Sequence, residues 1–411
     1  MSERMRPLLP ALLCLVFGPL IYVSARGATL GMLLVAVAFL LAEPRQAGTA
    51  LANAGRRLLP LAPLLIWMLV SALWALDRGG AASLALRLAG LALAGFVLLG
   101  QFRDQPPEKL RLPVMALAAG LTLCAAAVAI DLPLGGALGR SLHPPAGEAY
   151  DPALFYARAA TLHAAFVIPL LLALIRLRAV PLALLHTLIT VVALFETASL
   201  SAKIALAIGF GLLGAVYLVP RLRWAGLAVL VLAAIIVPAV FPVHPTEAES
   251  CWLIDHKPSA MHRILIWDFV AEHIHQHPIA GWGLDAARNL PGGKDPVLLR
   301  LCPPSPAAGA VALDSTILPL HPHNAILQIW LELGGIGAFL SFGVAFLVIA
   351  RAFRRPEWRT RLTQAMITAS LGAALSIALV SFGIWQEWFL AGLFVAAGPG
   401  LLAARLTPPA S

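Results

Sequence analysis

Residues 321–350 read HPHNAILQIWLELGGIGAFLSFGVAFLVIA. From Ala325 onward the run is apolar and carries one formal charge, Glu332. About 20 such residues in a helix cross the hydrocarbon core of a bilayer. The four residues ahead of the run, His321-Pro322-His323-Asn324, are polar and include two titratable rings. This places chemistry at the lip of a spanning helix, in a chain that is otherwise largely membrane filler.

Composition agrees. The 411 residues are 60% hydrophobic and 12% charged, more apolar than a soluble domain of this size needs. Strands of an outer-membrane barrel alternate apolar and polar residues, whereas these runs are continuous. An all-α polytopic membrane protein follows. Twelve spans are expected, near 7–25, 28–42, 59–76, 81–100, 112–130, 152–175, 180–196, 202–219, 223–242, 323–350, 363–384 and 388–404. The first is long enough to remain as a span rather than a cleaved signal peptide.

The formal charge is +9, but it is distributed as a topology signal and not as a nucleic-acid patch. Arg45, Arg56 and Arg57, then Arg103, Lys109 and Arg111, then Arg176 and Arg178, then Arg221 and Arg223 fall in alternate loops. Arg351, Arg354, Arg355, Arg359 and Arg361 follow the tenth span, while the opposite loops hold only Arg26, Arg78 and Arg140. By the positive-inside rule both termini are cytoplasmic. Membrane lipids and lipid-linked anions are the expected partners.

The chain therefore divides into spans one to nine (1–242), a polar outer loop (243–322) and spans ten to twelve (323–411). The loop contains Cys251 and Cys302, whereas Cys14 and Cys124 fall in apolar runs. In an oxidising envelope compartment a Cys251–Cys302 disulfide is expected, stabilising by about 4 kcal/mol in the chain-entropy model. The other reading is two unpaired thiols. Ser259 to His277 reads as a helix, with Ser259 as N-cap and Pro278 beyond its end. Arg263 and Trp267 are four apart and share a face, as in a helix lying along the membrane surface. The plainer account is an arginine snorkelling to headgroups.

The outer side of an inner membrane has no ATP, so the energy-rich donors there are lipid-linked sugars. Breaking a glycosyl–pyrophosphate bond needs cations for the leaving group and a base for the attacking hydroxyl. His323 is the candidate base, His321 its understudy or positioning residue, and Asn324 a plausible N-cap. Arg263, Arg158 and Lys203 are the candidate cations, the last two because intramembrane charge is costly and functional by default. Arg87 is a similar charge without an assigned role. Glu332 either pairs with a cation or caps a polar cavity. His273, His275 and His277 tempt as a metal cluster, but i and i+2 on a helix diverge, so no metal is assigned. Trp385-Gln386-Glu387-Trp388 reads as a short turn with an aromatic anchoring belt.

Taken in order, these motifs resemble the O-antigen ligase and O-antigen/exopolysaccharide polymerase superfamily. His321-Pro322-His323-Asn324 with Glu332-Leu333-Gly334-Gly335-Ile336-Gly337 is similar to the family's His-x-His-Asn run and Glu-Leu-Gly-x-x-Gly tail. Arg263 with Trp267 resembles its Arg-x-x-x-Trp helix, and His277-Pro278-Ile279-Ala280-Gly281-Trp282-Gly283 its Pro-x-x-Gly-x-Gly turn. Ser199-Leu200-Ser201-Ala202-Lys203 is similar to its Ser-x-Ser-Lys/Arg segment, and Tyr156-Ala157-Arg158 to a Tyr-Asn-Arg segment in which Ala157 replaces asparagine. The resemblance implies a C-type glycosyltransferase fold with its active site facing the periplasm. It implies transfer of a glycan from undecaprenyl pyrophosphate to lipid A–core (ligases) or to another lipid-linked repeat (polymerases). No metal, ATP or other cofactor is implied. The rival from another class is a transporter for lipid-linked sugars, against which stands the lack of an internal duplication. A sensor or scaffold would leave the polar cluster unexplained.

Overall fold

The computed structural model describes residues 8–142, 151–240, 245–300, 310–355 and 358–406, which are mostly helical. Helices α1 (Leu9–Val23) and α2 (Gly27–Ala42) are followed by α3 (Ala47–Leu58), α4 (Ala62–Ser71), α5 (Arg78–Asp104), α6 (Pro107–Asp131) and α7 (Ala137–Leu142). Next come α8 (Pro152–Ala164), α9 (Val167–Arg176), α10 (Val180–Glu196), α11 (Leu200–Leu218) and α12 (Leu222–Val240). The segment after them holds α13 (Glu247–His256), α14 (Pro258–Gln276) and an antiparallel pair, β1 (Pro296–Arg300) and β2 (Ala310–Thr316). Three helices close the chain: α15 (Ala325–Arg354), α16 (Arg361–Val380) and α17 (Glu387–Arg405).

Polar residues at the chain reversals start several helices. Asp77 accepts from the Gly80 amide to begin α5, Asp151 caps α8, and Ser199 caps α11. Each satisfies backbone donors that a helix start leaves unpaired.

Among the described residues seven helical segments are long and apolar enough to cross a membrane: 44–71, 78–104, 107–131, 200–218, 325–354, 361–380 and 387–405. The α8–α9 pair, bent by 48°, makes an eighth if it counts as one span. The other four expected spans fall on shorter apolar helices, α1, α2, α10 and most of α12. At 1.5 Å per residue the 15 residues of α1 rise only about 22 Å. The chain is a multi-pass membrane protein. Large apolar side chains stand outward, Phe339 77% exposed and Leu218 74% exposed, which suits lipid and not water.

Inside the bundle α1 packs on α2 and α6, α10 on α6 and α9, α17 on α5 and α9, and α11 on α16. Phe17, Phe166, Leu170 and Phe389 sit in the resulting core with no exposed surface. A second cluster joins α4 and α5 to the start of α15 through Met68, Leu84, Ile329 and Leu333. A third, Ile266, Val270, Ile274, Leu327 and Leu331, fixes α14 against the same part of α15.

The expected tenth span is two pieces. At Gly334 the backbone takes φ 63°, ψ −166°, a region open almost only to glycine. The break is filled by backbone from residues 278–283. The amides of Trp282 and Gly283 donate to the carbonyls of Leu331 and Glu332, both at 2.9 Å. The amides of Gly335 and Ile336 donate to Pro278 and Ile279 at 2.8 and 3.2 Å. Trp67 and Trp74 add indole N–H bonds to the carbonyls of Leu333 and Gly281. Five of the groups at the break, the carbonyls of 331–333 and the amides of 335 and 336, thus find partners, which is what irregular backbone at membrane depth requires. A Cβ on Gly281 would lie 2.5 Å from the Glu332 carbonyl, and one on Gly334 would collide with the Ile279 carbonyl. The two glycine motifs of the sequence are the two halves of one joint.

The all-α architecture carries one addition, the antiparallel β1–β2 pair between α14 and α15, and two expectations need correction. Ser259 is not a cap: α14 begins at Pro258, and its N-cap residue, Lys257, makes no side-chain cap bond. Residues 47–58, expected as loop, form α3, because Ala47, Ala50, Ala54 and Leu58 recur at helical spacing beside Arg56 and Arg57.

Substituting Gly334 by alanine is expected to cost more than the roughly 1–3 kcal/mol typical of a strained residue, because backbone strain and collision add. Gly343, with open space around it in the same helix, is the reference: Gly343→Ala should be neutral or stabilising by several tenths of a kcal/mol. Thermal unfolding in detergent compares them, and equal melting points would refute the joint.

Candidate functional site

Asn324 starts α15: its Oδ1 accepts from the amides of Ile326 and Leu327 at 3.0 and 3.2 Å. To reach that position the chain passes through His323 at φ 53°, left-handed backbone that is uncommon outside glycine. The turn brings the rings of His321 and His323 edge to face, 4.4 Å between centroids.

Their partners distinguish the two rings. The His323 amide donates to His321 Nδ1 at 3.2 Å, so the His321 proton resides on Nε2. His323 Nδ1 lies 2.5 Å from the Ser381 carbonyl oxygen, which can only accept, so Nδ1 carries the proton and Nε2 keeps its lone pair. His323 is built as an acceptor and His321 as a donor.

The turn holding the Ser381 carbonyl is itself fixed from α15. Gln328 Oε1 accepts from the Ile384 amide at 2.9 Å, and its Nε2 donates to Glu332 Oε1 at 3.0 Å. Glu332 Oε2 accepts from Trp385 Nε1 at 2.8 Å and from the Asp285 amide at 2.6 Å. Glu332 is fully buried and has no ion-pair partner among the described residues: it gathers three neutral donors from three segments. Trp385, expected as an interfacial anchor, is instead buried against that carboxylate.

Trp267 is likewise a pin, its indole N–H donating to the Pro322 carbonyl at 2.9 Å. This docks α14 on the histidine segment and sets Arg263, one turn back, near His323. Burial pulls the Arg263 guanidinium below its usual range. The His323 imidazole is held below 6.5, first by burial, then by Arg263 and His262, with the Ser381 bond opposing. His321 is pushed down to about 3 by burial, then by His323, Arg288 and Arg158. Both shifts favour the neutral form of the rings.

The charges felt at the dyad are thus those of Arg263 at His323 and of Arg288 and Arg158 at His321. Lys203 is not brought there by any contact; it lies over the Phe195 ring, 5.8 Å from its centroid. Its helix is tied to that of Arg158 through Thr161 Oγ1 and Ser199 Oγ, 2.5 Å apart. Tyr156 anchors α8 by donating to Asp131 at 2.8 Å. Arg87 has a partner after all, Glu387 at 2.6 Å. His273 donates from Nδ1 to the Phe269 carbonyl at 2.8 Å, and among the described residues no cluster of three His, Cys, Asp or Glu could hold a metal ion. Cys302 lies outside the described residues, and the expected disulfide with it.

Sequence reading missed Arg288 and Ser381. Arg288 follows Asp285 by three and bonds to it at 2.9 Å; Asp285 sits at φ 61° with its carboxyl raised by burial. Three residues on a short turn leave no periodic signal. Ser381 contributes only a carbonyl, which every residue has.

The family model described as O-Antigen ligase matches residues 185–342, which include α14, the joint and both histidines. Over these residues the chain is similar to the O-antigen ligase family. Among curated proteins it is similar to a Rickettsia conorii protein under the provisional name polysaccharide ligase, 29% identical over 216 residues, 51% of this chain and 49% of the relative. A Rickettsia prowazekii protein of the same provisional name is 29% identical over 209 residues, 48% and 47% of the two chains. One from Rickettsia bellii is 29% identical over 201 residues, 47% and 45%. The aligned part spans about half the length of the curated relatives it matches.

The opposed tautomers are directly observable. In 15N-histidine-labelled protein, the signal lost in His323→Gln should be that of an Nδ1-protonated ring. The signal lost in His321→Gln should be Nε2-protonated. Finding the same tautomer at both positions would contradict the arrangement.

Proposed function

We propose that the protein is an inner-membrane glycosyltransferase of the O-antigen ligase type, taking a glycan from undecaprenyl pyrophosphate to a sugar hydroxyl of lipid A–core. The observation that carries this reading is His323 Nε2, an acceptor fixed in orientation by Ser381 in the field of guanidinium groups. The acceptor hydroxyl attacks the anomeric carbon while His323 Nε2 takes its proton. The bond from that carbon to the phosphate oxygen breaks, and undecaprenyl pyrophosphate leaves with the electron pair. Arg263 and Arg158 bear the charge that develops there, and His321 Nε2–H positions an oxygen beside them. Lys203 is assigned to the same pyrophosphate on the strength of the α8–α11 tie.

The same reading gives the topology. All twelve apolar segments cross the membrane, both termini are cytoplasmic, and residues 243–322 with the histidine segment face the periplasm, where Cys251 and Cys302 pair. The grouping of Arg57 with Asp104, Lys109 with Glu43 and Arg405 with the carbonyls of Phe102 and Gln105 supports a basic face opposite the histidines. The restriction of the family match to 185–342 supports locating the chemistry in α14 and α15 and leaves the acceptor to other helices.

The test is a lipopolysaccharide gel on cells lacking this chain, complemented with wild type or His323→Ala. Ligase activity predicts loss of all long glycan from lipid A–core in the deletion, with polymer retained on the carrier lipid and no rescue by His323→Ala. A single repeat left on lipid A–core would mean a polymerase, and an active His323→Ala protein at normal membrane levels would sink the mechanism. Arg263→Lys should lose activity by at least tenfold if the contact is a two-pronged guanidinium bond, about 1.4 kcal/mol.

The depressed His323 sets the pH dependence. The base is lost only as pH falls through a value below 6.5, so the acid limb of kcat/KM lies below the ordinary histidine range. Stability moves with it. Between 6.5 and the folded-state value the unfolded chain binds the extra proton, so stability falls as pH falls there. An acid limb at or above 6.5 would contradict the assignment.

A further inference from the structure

At the bundle end opposite the histidines, a cavity of about 420 Å³ opens between the C-terminal end of α2, the amphipathic α3 and the last turn of α5. Its distance from the dyad follows from α17. The start of this helix adjoins the Ser381–Trp385 turn, whereas Arg405 at its far end bonds the carbonyls of Phe102 and Gln105 beside the cavity. The 19 residues between rise about 28 Å. Nothing in the transfer chemistry uses it.

The lining is polar on one side and apolar on the other. Arg45, Arg57, Arg103, Asn53, Gln101 and Gln105 line it over a floor of Phe39 and Leu40. Two carboxylates are near but largely spent: Asp104 pairs with Arg57 at 2.7 Å, and Glu43 with Lys109. Arg103 reaches Asp104 only at 3.8 Å, and Arg45 has no bonded partner among the described residues. Two cations remain over. Gln101 is 5% exposed; its carbonyl oxygen accepts from Gln105 at 3.2 Å, and its amide nitrogen has no bonded partner among the described residues. The Arg57 guanidinium crosses Gly100, 2.5 Å from where a Cβ would stand. The cavity thus presents surplus guanidinium charge and amide donors above an apolar floor, at the end of a membrane bundle.

We propose that this cavity holds the phosphate headgroup of an anionic phospholipid, its acyl chains following the apolar side of α2 and α3. Basic pockets between membrane helices at the cytoplasmic face bind such headgroups. A soluble phosphate ester shares the headgroup chemistry but has no acyl chains to cover Leu41 and Leu51, which stand exposed on α2 and α3 beside the cavity lining. The inference rests on the topology proposed above, not on the transfer reaction.

Native mass spectrometry of the full chain with dioleoyl-phosphatidylglycerol against dioleoyl-phosphatidylethanolamine tests it, and reads no glycan transfer. The wild type should retain the anionic lipid preferentially. Arg45→Gln with Arg103→Gln should weaken that preference by roughly thirtyfold, about fivefold per cation. Gly100→Ala, which shifts the Arg57 head without changing charge, should weaken it as well. Arg221→Gln with Arg354→Gln removes the same charge outside the cavity and should leave the preference intact. Equal loss in that pair, or none in the cavity variants, would overturn the site. Displacement of the lipid by glycerol 3-phosphate as readily as by phosphatidylglycerol would replace it with a soluble phosphate site.

Discussion

The structure depends on a helix that cannot be continuous. Gly334 interrupts α15, and backbone groups released in an apolar surrounding cost several kcal/mol each unless paired. Residues 278–283 supply the pairs. That single requirement draws residues 278–288 down onto the helix, and nearly everything at the site follows from it. Asp285 comes within reach of Glu332, Trp282 donates to the end of α14 at the His273 carbonyl, and α14 is left where Trp267 meets Pro322.

Glu332 is the second consequence. A buried carboxylate without a counter-ion is expensive, and here it is surrounded by donors from Gln328, Asp285 and Trp385. These bonds tie α15, the 281–288 turn and the α16–α17 connection into one body, and that body presents the Ser381 carbonyl to His323. The orientation of the proposed base is therefore set by a network one helical turn and more away from it. Removing one member would leave a buried polar group unpaired, which costs more than the bond contributes.

What could be read from sequence follows from what each feature requires. Apolar runs are visible because crossing lipid demands only length and composition. Asn324 was readable as a cap because a polar residue ahead of an apolar helix has few other uses. Glu332 and the two glycine motifs were visible as patterns, but their pairing was not: nothing in one dimension says that Gly281 and Gly334 meet. Lys203 looked equivalent to Arg158 as an intramembrane cation, yet the fold sets it over Phe195. The Ser381 carbonyl was invisible in principle, since a backbone oxygen has no letter. The α3 helix leaves a weaker trace, the helical spacing of Ala47, Ala50, Ala54 and Leu58 among polar residues.

The break at Gly334 also divides α15 by duty. The nine residues 325–333 are bolted to α14 and to residues 278–283 and carry the histidines on their leading end. The remaining 20 residues, 335–354, cross the bilayer with their lipid side bare. A continuous rod would transmit every change of tilt directly to its tip, and bilayers differ in thickness by several Å. A rod jointed here can lean to match its membrane while 325–333 stays fixed to α14 and residues 278–283, so the placement of the imidazoles is separated from the thickness of the lipid around it.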